Sequence, residues 1–176
     1  MRELDHGKVV QAICNSTREV FSTMLGMEVE AGESYRQQSV PGANAGVVSL
    51  IGLAGDWAGS GGISCSPEFA RHISSALLMT EFSSVDEEVL DAVAEVTNMI
   101  IGNVKNSLEE DLGPMGLSIP TVIFGRNFTT RSVGNSDWIV VPFQSASEQM
   151  KVQICIAPNK TKHSPRPGFA NGLALA

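Results

Sequence analysis

A chain of 176 residues, 43% hydrophobic and 18% charged, suggests one globular domain that buries about 70% of its unfolded surface. A formal net charge of -7, with no basic stripe at either end or along any helix, excludes a general nucleic-acid binder. No apolar run reaches the length of about 20 residues that a membrane helix needs, and MRELDHGKVV has no signal-peptide core, so the chain reads as cytoplasmic with no membrane partner.

Asp5 is placed to cap a first long helix running to about Leu25. Val9, Ile13, Val20 and Met24, with Val10, Phe21 and Leu25 beside them, supply its apolar face, and Gly26 ends it. Met27 to Ala31 alternates apolar and polar, as a strand does. Residues 32–46 are polar and turn-rich, with a short edge strand expected near Tyr35 to Val40. Val47 to Leu53 and Gly59 to Ser64 read as two strands joined by a turn at Ala54 to Ala58. The glycine-rich run there, GLAGDWAGSGG, lacks the Gly-Lys-Ser/Thr ending of a phosphate-binding loop and reads as a hairpin turn. Ser66-Pro67-Glu68 is a helix start, with cap, proline in the first turn and acid beside it, and that helix runs to about Met79.

The chain is organised around Ser84 to Leu112. Ser84 followed three residues later by Glu87 reads as a capping box, and Asp86, Glu87 and Glu88 crowd the first turn, where the helix dipole favours negative charge. Gly113-Pro114 closes the helix, with Gly113 read as a left-handed cap. Val89, Val93, Val96, Ile100, Val104 and Leu108 recur at steps of three or four, which is one buried stripe. Asp91, Glu95, Asn98 and Gly102 step by four, three and four along roughly the opposite face, open to solvent or a partner. A mid-helix Gly costs about 1 kcal/mol against Ala. Its structural explanation is close packing of a neighbouring helix, with Asn98 then a solvated polar residue.

Beyond this helix, Leu117 to Phe124 reads as a strand, with Pro120 marking an edge position or an irregularity because proline donates no ladder hydrogen bond. Phe128 to Arg131 is a candidate short strand, and Asp137 to Phe143 and Gln149 to Ala157 form a hairpin around Gln144 to Glu148. Residues 1–157 thus make the domain, and 158–176, with three prolines and four basic or His side chains, a flexible tail. Cys14, Cys65 and Cys155 are dispersed in apolar surroundings and read as small core residues in a reducing compartment. His6, His72 and His163 have no ligand spacing, and no metal site is expected. Each half holds a long helix ending in Leu-Gly, a strand and a two-strand hairpin. Such a duplicated unit predicts a pseudo-two-fold α+β domain with two long helices side by side on one face of a mostly antiparallel sheet.

The run DAVAEVTNMIIGN resembles the signature helix of the CheC/CheX/FliY family, phosphatases of the chemotaxis response regulator CheY. That pattern is Asp or Ser, three residues, Glu, two residues, Asn and, further on, a Pro; here the positions fall on Asp91, Glu95, Asn98 and Pro120. The Asn-to-Pro gap is one residue shorter than in the pattern. Residues 5–157 fit the family layout, which implies a CheC-like fold. CheC-type members carry Glu-x-x-Asn on both long helices, whereas the first helix here has Glu19 followed by Ser22, and Asn15 has no Glu three before it. One site per chain is similar to CheX more than to CheC.

Glu95 and Asn98 make chemical sense when the substrate carries the reactive group. An amide is no base, and no Ser/His/Asp or Cys/His set stands near them in sequence. An aspartyl phosphate on a receiver, held with the receiver's own Mg²⁺ and Lys, lacks only an aligned water. A carboxamide accepts a hydrogen bond from water and donates one to a phosphoryl oxygen. The resemblance implies that role for Asn98, and for Glu95 a pairing with the receiver's active-site Lys that anchors docking. Asp91 then sits at the rim and Gly102 leaves room for the receiver's surface. The expected activity is hydrolysis of the aspartyl phosphate of a CheY-like receiver, with no cofactor of the chain's own. CheX relatives suggest a homodimer paired through sheet edges. The rivals are a non-catalytic receiver-binding or flagellar-switch-like module of the same fold, a regulator that binds a receptor deamidase, and a small-molecule hydrolase, for which no nucleophile–base pair is found.

Overall fold

The computed structural model describes residues 4–38, 45–126, 128 and 137–159. Helix α1 (His6–Val20) starts where expected, with the Asp5 carboxylate accepting hydrogen bonds from the amides of Gly7 and Lys8. It continues as a π turn, Phe21–Leu25, closed by Gly26 in the left-handed conformation at φ 62°. The wider turn shifts the helical phase by one residue. Phe21 and Leu25 therefore stay buried while Met24, expected on the apolar face, is half exposed.

Strands β1 (Glu30–Ala31) and β2 (Tyr35–Gln37) follow, both shorter than expected. Only Glu30 and Ala31 reach the ladder before the chain turns at Gly32, whose amide donates to the Pro142 carbonyl. Residues 39 and 40 of the expected edge strand lie outside the described residues. Strands β3 (Ala45–Gly55) and β4 (Trp57–Cys65) form the first hairpin, register-paired from Val47↔Cys65 to Leu53↔Gly59. The turn expected at residues 54–58 is tighter than read: Ala54 and Gly55 go on to pair with Gly116 and Met115, Trp57 and Ala58 pair with Pro158 and Ala157, and Asp56 alone stands between the two strands.

Helix α2 (Pro67–Leu78) is capped by the Ser66 hydroxyl, which accepts from the Phe69 amide and donates to Glu148. Helix α3 (Glu87–Leu112) then spans the domain. Its cap is Asp86, whose carboxylate accepts from the Val89 amide at 3.0 Å, and not Ser84. With the helix beginning at Glu87, Val85 precedes the cap and Leu90 follows in the first turn, and both pack against the core. The cap residue at the other end, Gly113, has positive φ but extended ψ (86°, 173°), so the chain leaves the helix straight into a strand and not through a left-handed turn.

That strand is broken where Pro120 stands. Strands β5 (Met115–Leu117) and β6 (Thr121–Arg126) flank the break, and both pair with β3 at the sheet edge. The Ser118 hydroxyl bridges the gap by accepting from the Gly52 amide at 2.8 Å. Residues 129–131 of the candidate strand after it lie outside the described residues. The closing hairpin is β7 (Trp138–Ser145) and β8 (Glu148–Pro158). Asn159 beyond it caps the first hairpin, its amide donating to the Asp56 carbonyl and its side chain to the Gly55 carbonyl. Residues 160–176 of the expected flexible tail lie outside the described residues.

Among the described residues the sheet has eight strands in the order β1-β7-β8-β4-β3-β5, with β2 also on β7 and β6 also on β3, and every pairing is antiparallel. The pseudo-two-fold relation passes between β4 and β8, whose long ladder joins the two hairpins. Each half lends its short strands to the other half's outer hairpin strand: β1 and β2 go to β7, β5 and β6 go to β3. Lys8 at the start of α1 pairs with Asp111 at the end of α3 at 2.8 Å, so the two long helices lie side by side and antiparallel. One face of the sheet meets them through Val47, Ile51, Ile63, Val141, Val152 and Ile154. Gly61 makes that contact close, since a Cβ there would stand 2.9 Å from the Ile101 side chain.

Candidate active site

Helix α3 buries Val89, Val93, Val96, Ile100, Val104 and Leu108, as their spacing predicts, and also Ala92, Thr97 and Ile101. The wider apolar arc arises because α1, α2 and the sheet all pack on this one helix. What remains outside is a narrow stripe. Asp91 and Glu95 on it are exposed, and Asn98 and Gly102 are half-buried. Helical geometry separates Glu95 from Asn98 by about 4.5 Å along the axis, so one approaching surface meets both.

Two elements hold this stripe in place. The buried Ser74 hydroxyl on α2 donates to the carbonyls of Ala70 at 2.8 Å and Val89 at 3.2 Å, tying α2 to the first turn of α3. Arg71 donates to the carbonyls of Phe82 and Ser83 and so steadies the link between the two helices. At the far end, Glu109 accepts from Lys105 at 2.8 Å and from the Met115 amide at 2.9 Å, which fastens α3 to β5. The Lys105 ammonium beside it holds the Glu109 carboxyl below its ordinary range, with the Met115 amide acting in the same direction.

The side chains of Asp91, Glu95 and Asn98 have no hydrogen-bond or ion-pair partner among the described residues. Gly102 is not the seat of a neighbouring helix, contrary to the structural explanation offered for it. Among the described residues a Cβ there would meet only Leu117, at an ordinary 3.7 Å. Pro120 stands half-buried in the break between β5 and β6. The first long helix offers no second pair: the Ser22 hydroxyl and, more closely, that of Thr23 donate to the Glu19 carbonyl.

Asp91 and Glu95 also line a groove of about 500 Å³ between the end of α2 and the start of α3, with Leu77, Leu78, Phe82 and Ala92. This groove is not evident from motif spacing. Its one signal is the apolar run Leu77-Leu78-Met79, longer than α2 needs for its core face. Burial pushes the Cys65 thiol up to about 12 and also raises that of Cys14, which disfavours the thiolate at both. Among the described residues no three His, Cys, Asp or Glu side chains gather in a group that would hold a metal. No helix of the described residues is long and apolar enough to cross a membrane.

Residues 47–144 match the family model described as chemotaxis phosphatase CheX. The chain is 30% identical over 128 residues to the CheY-P phosphatase CheX of Thermotoga maritima, covering 72% of this chain and 82% of that relative. A chemotaxis protein of Desulfovibrio vulgaris Hildenborough, described in its crystal structure as putative, superposes with a TM-score of 0.77 at 27% identity, over 85% of this chain and 97% of that one. The crystal structure of the CheX-CheY-BeF3-Mg+2 complex from Borrelia burgdorferi holds a similar chain, with a TM-score of 0.71 at 28% identity, over 88% and 99% of the two chains. With the α+β architecture, a single Glu-x-x-Asn helix and these matches, the chain belongs to the CheX family of chemotaxis phosphatases.

Proposed function

We propose that this chain is a protein phosphatase that hydrolyses the aspartyl phosphate of a CheY-like receiver by inserting Glu95 and Asn98 into the receiver's active site. The observation that carries the reading is the stripe itself. A carboxylate and a carboxamide one helical turn apart lie on the outer face of α3, and no described residue pairs with either. Polar groups held on a rigid helix and left unpaired are preorganised for a partner.

In the docked complex the Asn98 amide accepts a hydrogen bond from a water and donates to a phosphoryl oxygen, which sets the water in line with the bond to the aspartate. Water attacks phosphorus, the bond to the carboxylate oxygen breaks, and inorganic phosphate leaves with the receiver's carboxylate restored. Glu95, repelled by the phosphoryl group, pairs with the receiver's lysine and anchors the docking. Asp91 forms the rim and Gly102 leaves clearance. The chain lends no metal: Asp91 and Glu95 are two carboxylates four apart, and Mg²⁺ relies on substrate phosphate and water as well as carboxylates. The Mg²⁺ of the reaction belongs to the receiver. The reaction takes place in the cytoplasm, and two copies pair through sheet edges, a reading supported by Phe124, 47% exposed on edge strand β6.

The test is phosphate release from a phosphorylated CheY-type receiver by the full chain and two variants. Asn98→Ala is expected to lower turnover on the order of 100-fold with folding nearly unchanged. Glu95→Gln is expected to raise the receiver concentration needed for half-saturation as well as lowering turnover. Near-normal activity from folded Asn98→Ala protein sinks the assignment.

A further inference from the structure

We propose that the groove between the end of α2 and the start of α3 is a second contact for the receiver, taking an apolar side chain with a basic neighbour from the surface beside the phosphorylated aspartate. This rests on the reading of Glu95 and Asn98 as a receiver-phosphatase pair and specifies how that receiver is held. The groove is continuous with the candidate site, because Glu95 belongs to both and Asp91 stands one turn before it. A surface close enough to set a lysine on Glu95 therefore also faces the groove.

The lining has the composition of a docking surface. Leu77, Leu78, Phe82 and Ala92 are its apolar part, and Leu78 is left 45% exposed. Glu88, Asp91 and Glu95 are its charged part, with no basic group in the lining and no ion-pair partner for any of the three among the described residues. Met79, between the lining residues Leu78 and Thr80, is 93% exposed and caps α2 in the left-handed conformation at φ 53°, ψ 38°. Glycine or asparagine serves that backbone position better. An exposed methionine there contributes little to the fold, whereas a flexible, polarisable side chain at a groove's edge suits a protein contact.

The substitutions Met79→Asn and Leu78→Gln test this in the full chain. Asparagine tolerates the left-handed backbone, so Met79→Asn is expected to match or exceed the wild type in thermal stability while losing the apolar contact. Each variant is expected to raise the half-saturating concentration of phosphorylated CheY-type receiver about fivefold to tenfold, with turnover at saturation retained. Calorimetric affinity for the same receiver loaded with beryllofluoride should fall by the same factor. Folded variants with wild-type half-saturation and affinity overturn the proposal. So do variants that change sedimentation mass and not receiver affinity, which would make the groove a contact between copies of this chain. Absence of turnover by the wild type defeats the phosphatase reading alone, since the calorimetric arm still reads the groove; a wild type that binds no receiver defeats both.

Discussion

At the scale of single residues, position on the helix separates what the fold needs from what it leaves available. Asp91, Glu95, Asn98 and Gly102 share a stripe because steps of four, three and four return to one face, and that much is legible in the sequence. The clearance at Gly102 is not, because spacing cannot say what stands beyond an absent side chain. Among the described residues the structure puts only Leu117 there, at 3.7 Å from an added Cβ. Gly102→Ala should therefore stabilise the chain by about 1 kcal/mol through helix propensity, measurable by chemical denaturation. The same variant is expected to lower phosphatase activity if the clearance serves the receiver. A loss of stability would mean that the site has less room than its geometry indicates. Met24 teaches the converse lesson: its spacing is that of a core residue, and the π turn rotates it outward.

For the elements, boundaries depend on phase as well as residue type. Ser84 and Asp86 are both good caps, and the capping-box pattern favours Ser84. The helix begins at Glu87 because Asp86 reaches the Val89 amide while Val85 and Leu90 pack inward. Asp86→Ala is expected to cost about 1 kcal/mol in denaturant unfolding, the usual loss of an N-cap. Ser84→Ala should change stability within about 0.5 kcal/mol, as an exposed substitution does. Equal losses from the two would restore Ser84 to a capping role. The split of β5 from β6 was foreshadowed by Pro120, which cannot donate to a ladder, but the Ser118 hydroxyl that bridges the gap to Gly52 was not.

For the whole molecule, long-range contacts set the frame in which the stripe is displayed. Glu109 joins α3 to β5, and through β5 to the first half's hairpin. Its carboxyl titrates below the ordinary range when folded, chiefly because of Lys105. The stability it confers is present above the unfolded glutamate value, about 4.3, and is lost as pH falls through the lower folded value. Glu109→Gln should be less stable than the wild type at neutral pH, with the gap closing as pH falls below about 4 in acid-unfolding curves. A gap independent of pH would assign the effect to packing and not to charge. The sequence by itself determined the α+β class, the long helices, the two hairpins and the outward Glu-x-x-Asn pair, because these follow from local periodicity, caps and turns. The duplication was also legible, as a repeated order of elements. The tertiary structure alone decided that each half lends its short strands to the other's hairpin, since two- and three-residue strands carry too little local pattern to name a partner. It alone decided, too, that the end of α2 stands beside Asp91 and Glu95. Groups far apart in sequence meet there only after both helices have buried their apolar faces on a common core, and a groove exists only between surfaces that packing has brought together.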